Sequence, residues 1–435
     1  MKLTVQRIAP LLAVVGLSAG PASQGLERRS GGSPASLPPD VVLVLIDDVA
    51  DTDIDVVSQR GWLPNLDNLA ARGMRFHRAY AHAKCHPTRD SLHFGRWLGL
   101  DRGDACAPAV PGLTHELSDL SLVELFEGQG YNTLFVGKWH TGTATIGPFE
   151  LAAELFGYDS VRQLVPVGPE CSALSPGSEQ FRIDDGVGAS FANDNTVALR
   201  DAFLQWWTET PSPRFATINF GAAHEPFAYP AQELLPRGYP PCGLLNCTNR
   251  KEYEAEIVGV DTAMGDIMAA VGPSAYLIFL GDNGTPGNVP HKPPSITNAT
   301  RPDQDPDRVK LSAYEDGVRV PLIVAGPKVL HGTSDSLVHV VDVMPTLLQI
   351  TGSRSKLDER IQGRSFARCL LGLPGPRNHV FVWDSATPAM ALIESRWKLL
   401  TRLDGVEELY DLTLDPREQA PLPLAGPDYD RLRLT

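Results

Sequence analysis

The chain alternates short β-branched apolar runs with stretches of helical spacing, the pattern of an α/β domain. Val41 to Ile46 (VVLVLI) is apolar at every position, which predicts a parallel-sheet strand covered on both faces. Further strands are expected over Asn132–Val136, Phe215–Phe220, Ala275–Leu280 and Pro321–Ala325. Pro64–Arg72 reads as a helix, with proline at its start and Gly73 just past its end. Ser121 and Glu124 have capping-box spacing before a helix that Gly130 ends. Arg250–Val271 reads as one long helix and Val341–Ile350 as another. Beyond Gly375 the texture changes, and Val380–Trp383, Met390–Glu394 and Lys398–Arg402 read as short antiparallel strands. The expected architecture is α/β: a large, mostly parallel central sheet flanked by helices. A small C-terminal α+β subdomain carrying an antiparallel sheet follows it.

Four of the predicted strands end on polar residues. Asp47 and Asp48 follow the first directly; Lys138 and His140 follow the second, His224 the third, and Asp282 and Asn283 the fourth. Ligands of open α/β sheets bind beyond the carboxyl ends of the strands. Each residue alone has an ordinary explanation. An aspartate after a strand is often a turn residue or a cap, His224 stands in a proline-containing loop, and Lys138 is compatible with a solvated strand end. All four occurring together favours a site. Three carboxylates meeting at one point need counter-charge. The all-oxygen set Asp47, Asp48, Asp282 and Asn283 suits a hard cation, Ca2+ before Mg2+.

Composition narrows the class. The chain has 435 residues, 43% hydrophobic and 21% charged, ordinary values for a globular protein. A net charge of −14 argues against nucleic acid as a partner, but leaves room for an anionic substrate in a local cationic pocket. Lys2 and Arg7, the apolar run Ile8–Leu17 and the small residues Ser18, Ala19, Gly20 and Ala22 have the order of an export signal. That run is too short to span a bilayer, and no later segment reads as a span. An exported protein, periplasmic or extracellular, with no membrane span in the mature chain is expected. Of the six cysteines none forms a C-x-x-C pair, so a structural zinc site is not expected. Cys242 and Cys247 flank a short turn and are expected to bridge, with Cys369 left unpaired.

Lys84 to Trp97 reads K-C-H-P-T-R-D-S-L-H-F-G-R-W, with Cys85, Pro87 and Arg89 forming C-x-P-x-R. The pentapeptide by itself is only moderately specific. Its surroundings are more so. The acids of IDD and the segment LPNLDNLAARGMRFHRAYA lie upstream. VGKWH, AHEPF, GDNG, the K-x-x-x-Y-E-x-G-x-R-V-P run from Lys310 to Pro321, VVDVMPTLL and ELYDLTLDP follow in order. From Asp40 to Glu418 the chain resembles the formylglycine-dependent sulfatase family of the alkaline phosphatase superfamily.

The resemblance implies a hydrolase of sulfate esters, aryl or carbohydrate, whose substrate is a sulfated small molecule or glycan. It implies that a formylglycine-generating enzyme oxidises Cys85 to an aldehyde, and that the hydrated aldehyde is the nucleophile. The cation at Asp47, Asp48, Asp282 and Asn283 is then expected to bind the Cys85 hydrate and a sulfate oxygen. Arg89 and Lys138 are expected to hold hydrate and sulfate, and His140 to act as base for the release step. His224 and Lys310 are expected to contact the sulfate, one of them protonating the leaving oxygen. Asp342 and Tyr314-Glu315 keep a structural reading as caps and turns.

The implied organisation is a signal peptide over residues 1–24, a linker over 25–39, a catalytic domain over 40–375 and a subdomain over 376–435. The loops Asp104–Thr114, Val165–Gly188 and Gly284–Asp307 would shape the substrate mouth. His86, Asp90 and Ser91 stand where the family has small residues, Phe94 where it has threonine, and Ala50 and Asp316 where it has glycine. These departures bear on maturation of the cysteine and on the mouth. Two rivals stay open: a phosphonate monoester or phosphodiester hydrolase using the same aldehyde, and a non-catalytic binder of sulfated glycans. Asn283 stands where the first rival's relatives usually have histidine.

Overall fold

Strand β1 (Val41–Ile46) is buried at all six positions. Its residues alternate between two cores: Val41, Leu43 and Leu45 enter one, and Val42, Val44 and Ile46 the other. A strand with a core on each face has no polar position, which is why VVLVLI shows no alternation. The computed structural model describes residues 37–97, 121–139, 158–166, 180–184, 187–191, 195–242, 247–289, 308–353, 359–384, 389–402 and 404–435. The expected signal segment, His140, Cys106, Cys171 and the loop 104–114 lie outside these residues.

The strands that follow β1 are β2 (Met74–Phe76), β3 (Ala79–Tyr80), β4 (Asn132–Trp139), β5 (Ser160–Pro166), β6 (Gln180–Asp184) and β7 (Val187–Phe191). Then come β8 (Arg214–Asn219), β9 (Tyr276–Gly281), β10 (Leu322–Ala325), β11 (Gly332–Ser334) and β12 (Val338–His339). Among the described residues ten strands form the main sheet, in the order β11-β2-β10-β9-β1-β8-β4-β5-β6-β7. Its centre, β9-β1-β8-β4-β5, is parallel. Antiparallel pairs lie on both sides, β9 with β10 and β5 with β6. One core is closed by helices Cys85–Phe94, Leu122–Glu127 and Val343–Ile350, the other by Asp51–Gln59, Pro64–Ala71, Thr196–Glu209 and Asn249–Val271.

Strands β13 (His379–Asp384), β14 (Ala389–Glu394), β15 (Trp397–Arg402) and β16 (Glu407–Asp411) form a separate antiparallel sheet. Its inward residues Val380, Val382, Ala391, Ile393, Leu400 and Tyr410 share a third core with Tyr80, Ala313, Val318 and Leu337 of the larger part. Both expected layers are therefore present. The capping box is formed, with Ser121 Oγ accepting from Glu124 N at 3.1 Å and Glu124 accepting from Ser121 N at 2.7 Å. That helix stops at Glu127, three residues before Gly130, which turns the chain into β4 at φ +82°. Cys242 and Cys247 are disulfide-bonded, and Cys369 is a free, buried thiol. No helix among the described residues is long and apolar enough to cross a membrane.

Candidate active site

The parallel register places two acidic strand ends side by side. Ile46 of β1 pairs with Gly281 of β9, so Asp47 and Asp282 leave the sheet at one level. Asp48 takes a left-handed backbone at φ +59°, a conformation that aspartate tolerates better than most residues. Asp282 Oδ1 accepts from Asp48 N at 3.1 Å, and Tyr253 Oη donates to Asp48 O at 3.0 Å. The chain after β8 is tied to the same turn, with Asp47 N donating to Ala222 O at 2.9 Å and Ala223 N to Asp47 O at 2.8 Å. This brings His224 to the rim, with Nε2 3.8 Å from Asp48 Oδ2.

Lys138 does not follow its strand, as the sequence suggested, but lies inside β4. The register with β5 shifts between Val136 and Lys138. Gly137 makes this possible: it sits at φ +101°, and a Cβ there would fall 2.0 Å from Asn219 O. Lys138 Nζ reaches Asp47 Oδ2 in an ion pair and lies 3.8 Å from Cys85 Sγ.

Cys85 is the first residue of helix Cys85–Phe94, with Lys84 as its extended N-cap and Gly95, left-handed at φ +62°, ending it. The helix thus begins on the cysteine itself, and Gly95 closes it. Pro87 occupies the first turn, where a backbone N–H has no intrahelical partner to lose. Cys85 and Arg89 stand at i and i+4, so one helix face carries both. Cys85 Sγ lies 3.5 Å from Asp47 Oδ1 and 3.8 Å from Asp48 Oδ1. Arg89, fully buried, donates to Asp282 Oδ2 from Nε at 3.0 Å and from Nη2 at 2.8 Å, and from Nη1 to Lys138 O at 3.2 Å. Lys310 Nζ approaches Asp48 Oδ1 at 2.6 Å and Oδ2 at 2.7 Å.

Three buried carboxylates are matched here by Arg89, Lys138 and Lys310. Burial raises Asp47, but Lys138, His224, Arg89 and Lys310 outweigh it and hold the carboxyl well below its usual range. For Asp282 burial and the Asp47 charge prevail over Arg89 and Lys138, pushing it up to about 6. Burial also raises the Cys85 thiol against the pull of Lys138 and Lys310. Burial, then the charges of Lys138 and Lys310, push the His224 ring downward, although a third of its side chain is open to solvent.

The donor set fits a hard cation. Asn283 Nδ2 donates to Asp48 Oδ1 at 2.7 Å, while Asn283 Oδ1 is buried and has no hydrogen-bond partner. A metal ion held by these carboxylates would satisfy that orphaned buried acceptor. Ligand atoms of Asp47, Asp48, Cys85 and His224 all lie within 4.8 Å of one another. With a divalent ion the cluster carries two excess positive charges, which suits an anionic ester.

The structure thus draws together Asp47, Asp48, Cys85, Arg89, Lys138, Asp282, Asn283 and Lys310, with His224 at the edge. His140, the expected base, lies outside the described residues. A supporting layer had no sequence signal. Tyr253 Oη contacts Asp53 Oδ2 at 2.8 Å, Arg250 Nη1 donates to Asp53 Oδ1 at 2.9 Å, and Thr285 Oγ1 donates to Asp53 Oδ2. On the other side His82 N donates to Thr88 Oγ1 at 3.0 Å and its Nε2 lies 3.1 Å from Ser91 Oγ, anchoring the cysteine helix.

A family profile described as Sulfatase matches residues 39–353. The chain is similar to arylsulfatase G of Canis lupus familiaris, 26% identical over 378 residues, 77% of this chain and 68% of that protein. It is also similar to N-acetylgalactosamine-6-sulfatase of Rattus norvegicus, 26% identical over 397 residues, 82% of this chain and 68% of the relative. Among solved structures, a Bacteroides thetaiotaomicron chain from work on glycosaminoglycan metabolism superposes with a TM-score of 0.68 at 19% identity, over 92% of this chain and 98% of that one. At that identity the likeness concerns the fold.

Proposed function

The chain belongs to the sulfatase family, the sulfuric ester hydrolases of aryl and carbohydrate sulfates, and we propose that it works through an aldehyde made from Cys85 beside a divalent cation, calcium before magnesium. The observation that carries this reading is the position of Cys85: first residue of a helix, between Asp47, Asp48 and Lys138, in a cluster where Asn283, bonded to Asp48, keeps an unsatisfied oxygen. Asp47, Asp48, Asp282 and Asn283 would hold the ion. When bound, it supplies Lewis-acid polarisation of a sulfate oxygen and acidifies the attacking hydroxyl. The hydrated aldehyde offers two hydroxyls on one carbon, one to attack sulfur and one to lose its proton and expel sulfate as the carbonyl re-forms.

The remaining work falls to residues of the chain. Arg89, locked in place by Asp282, and Lys138, held by Asp47, are fixed cations that keep the nucleophile and the sulfate oxygens in position without reorganising during the reaction. The N-terminus of helix Cys85–Phe94 adds its dipole toward the anion. His140 takes the proton in the release step. Lys310 and His224 meet the sulfate from the open side, and one of them protonates the leaving oxygen. A formylglycine-generating enzyme acts on the chain before it is active, and the segment 1–24 directs export.

The test is the mass of the tryptic peptide Cys85–Arg89 from protein made alongside the maturation enzyme, read with turnover of an aryl sulfate. Aldehyde content and sulfate release are expected to rise together across preparations. Full sulfate release from protein whose Cys85 is entirely thiol would overturn the reading. Faster turnover of phenyl phosphonate than of the aryl sulfate would move the activity to the phosphonate hydrolases.

A further inference from the structure

Away from the site, one lysine is buried between two carboxylates. Lys398 on β15 is fully buried, with Nζ 3.0 Å from Glu315 Oε1 and 2.7 Å from Glu418 Oε1, the latter an ion pair and not an aligned hydrogen bond. Glu418 does more than neutralise it. Glu418 Oε2 accepts from Glu315 N at 2.6 Å, and Glu418 O accepts from Arg308 Nη1. The guanidinium of Arg308 lies 4.5 Å from the centre of the Tyr314 ring. One residue near the C-terminus therefore holds both ends of the segment from Arg308 to Glu315.

That segment carries Lys310. Its middle is tied to the site by backbone bonds, Lys310 N to Thr285 O at 2.8 Å and Leu311 N to Ala83 O at 2.9 Å, two residues before Cys85. Leu311 is left-handed at φ +72°, and so is Glu418 at φ +57°. A leucine with positive φ persists only where its surroundings over-determine it. Here the surroundings are the Ala83 carbonyl on one side and the Glu418 anchor at the segment's ends. Released from that anchor, Leu311 has reason to leave the left-handed region, and Lys310 would move with it.

We infer that Glu418, neutralised by Lys398, is a positioning residue for Lys310, so that the small C-terminal sheet braces the sulfate-binding face of the site. This rests on the reading of Lys310 as a sulfate contact. The competing role is purely structural: a buried ion triad that holds the two sheets together and touches activity only through the amount of folded protein.

The two roles separate in a double-mutant cycle on the full chain, read as inhibition by inorganic sulfate and as KM and kcat for 4-nitrophenyl sulfate. Lys310→Ala is expected to weaken sulfate inhibition by about tenfold. Glu418→Ala is expected to weaken it in the same direction by about fivefold, and the double variant no further than Lys310→Ala alone. Glu418→Gln, which can still accept from Glu315 N, should stay within about twofold of the parent. If Glu418→Ala does not fold, Arg308→Ala removes the other tie and should reproduce the weakening. Sulfate inhibition unchanged in both Glu418→Ala and Arg308→Ala, or effects that multiply with Lys310→Ala, overturn the brace. Unchanged inhibition in Lys310→Ala removes the role of Lys310 itself, and the brace with it.

Discussion

Two clusters of buried charge can be compared directly, because they are joined by one segment of chain. Around Cys85 stand Asp47, Asp48 and Asp282 with Arg89, Lys138 and Lys310. Around Lys398 stand Glu315 and Glu418, with Arg319 Nη1 3.4 Å from Glu315 Oε2 and Tyr80 Oη donating to the same oxygen at 3.3 Å. Both sets are desolvated. Asn283 Oδ1 in the first and Glu418 Oε1 in the second both lack an aligned hydrogen bond, but Glu418 Oε1 has the Lys398 ammonium 2.7 Å away. Only the first places a thiol among its charges and opens at His224. Burial of charge does not by itself mark a site. Closed ion clusters are commonly structural; a site needs a reactive group and a way in.

The comparison breaks most sharply on Cys85→Ala. Sulfate release should fall by at least about a thousandfold while the unfolding midpoint stays near that of the parent. A variant releasing sulfate at the parent rate would leave the first cluster as structural as the second. Lys398→Met should act chiefly on stability. It leaves Glu315 and Glu418 buried together without their cation, and denaturant unfolding should report a loss of about 3–5 kcal/mol. Stability equal to the parent's would remove the contrast.

Calcium should act on one cluster alone. At about a hundred times its dissociation constant, it should raise the unfolding free energy by about 2.7 kcal/mol. Asp282→Asn should lose that response and Lys398→Met should keep it, as followed by thermal unfolding with and without a chelator. An equal response in parent and Asp282→Asn would place the ion elsewhere.

The smallest effect lies in pH. Burial and the neighbouring Glu315 charge push Glu418 up to about 7 from 4.5, against the pull of Lys398. A carboxyl raised on folding binds its proton more tightly in the native state, so its contribution is complete below about pH 4.5 and is lost as pH rises through about 7. Glu315, which Lys398 and Arg319 pull down despite its burial, acts in the opposite sense and in a lower window. The groups facing Glu418 include Lys398, Glu315, Tyr80 and Tyr314, with Arg308 at its backbone. Glu418→Gln should therefore flatten the loss of stability between about pH 5 and 8 relative to the parent. An unchanged slope between the two proteins would show that Glu418 does not titrate there.

Most of the main sheet was legible because burial leaves a local trace. VVLVLI of β1 and the runs of β8 and β9 announce strands with a core on each face, and Ser121 with Glu124 announces a cap within three residues. The short strands β2 and β11 carry too few residues to show a period, and helix Thr196–Glu209 was not anticipated. In the site, Asp47, Asp48, Asp282 and Asn283 were legible as strand ends and Cys85 to Arg89 by their spacing. The Tyr253–Asp53–Arg250 layer was not. A tyrosine inside a long helix looks like any core aromatic until its hydroxyl is found under the Asp48 carbonyl.

What the sequence determined by itself is whatever backbone periodicity and local capping encode: the strands, the long helices, the i and i+4 pair of Cys85 and Arg89, and the order in which polar residues leave the sheet. Only the tertiary structure decided that Lys138 reaches Asp47 from within β4, through the shift at Gly137. It also decided that Lys398 meets Glu315 across 83 positions of chain. Charges that distant are paired by sheet register and by the packing of one layer on another. No pattern within a single element records either.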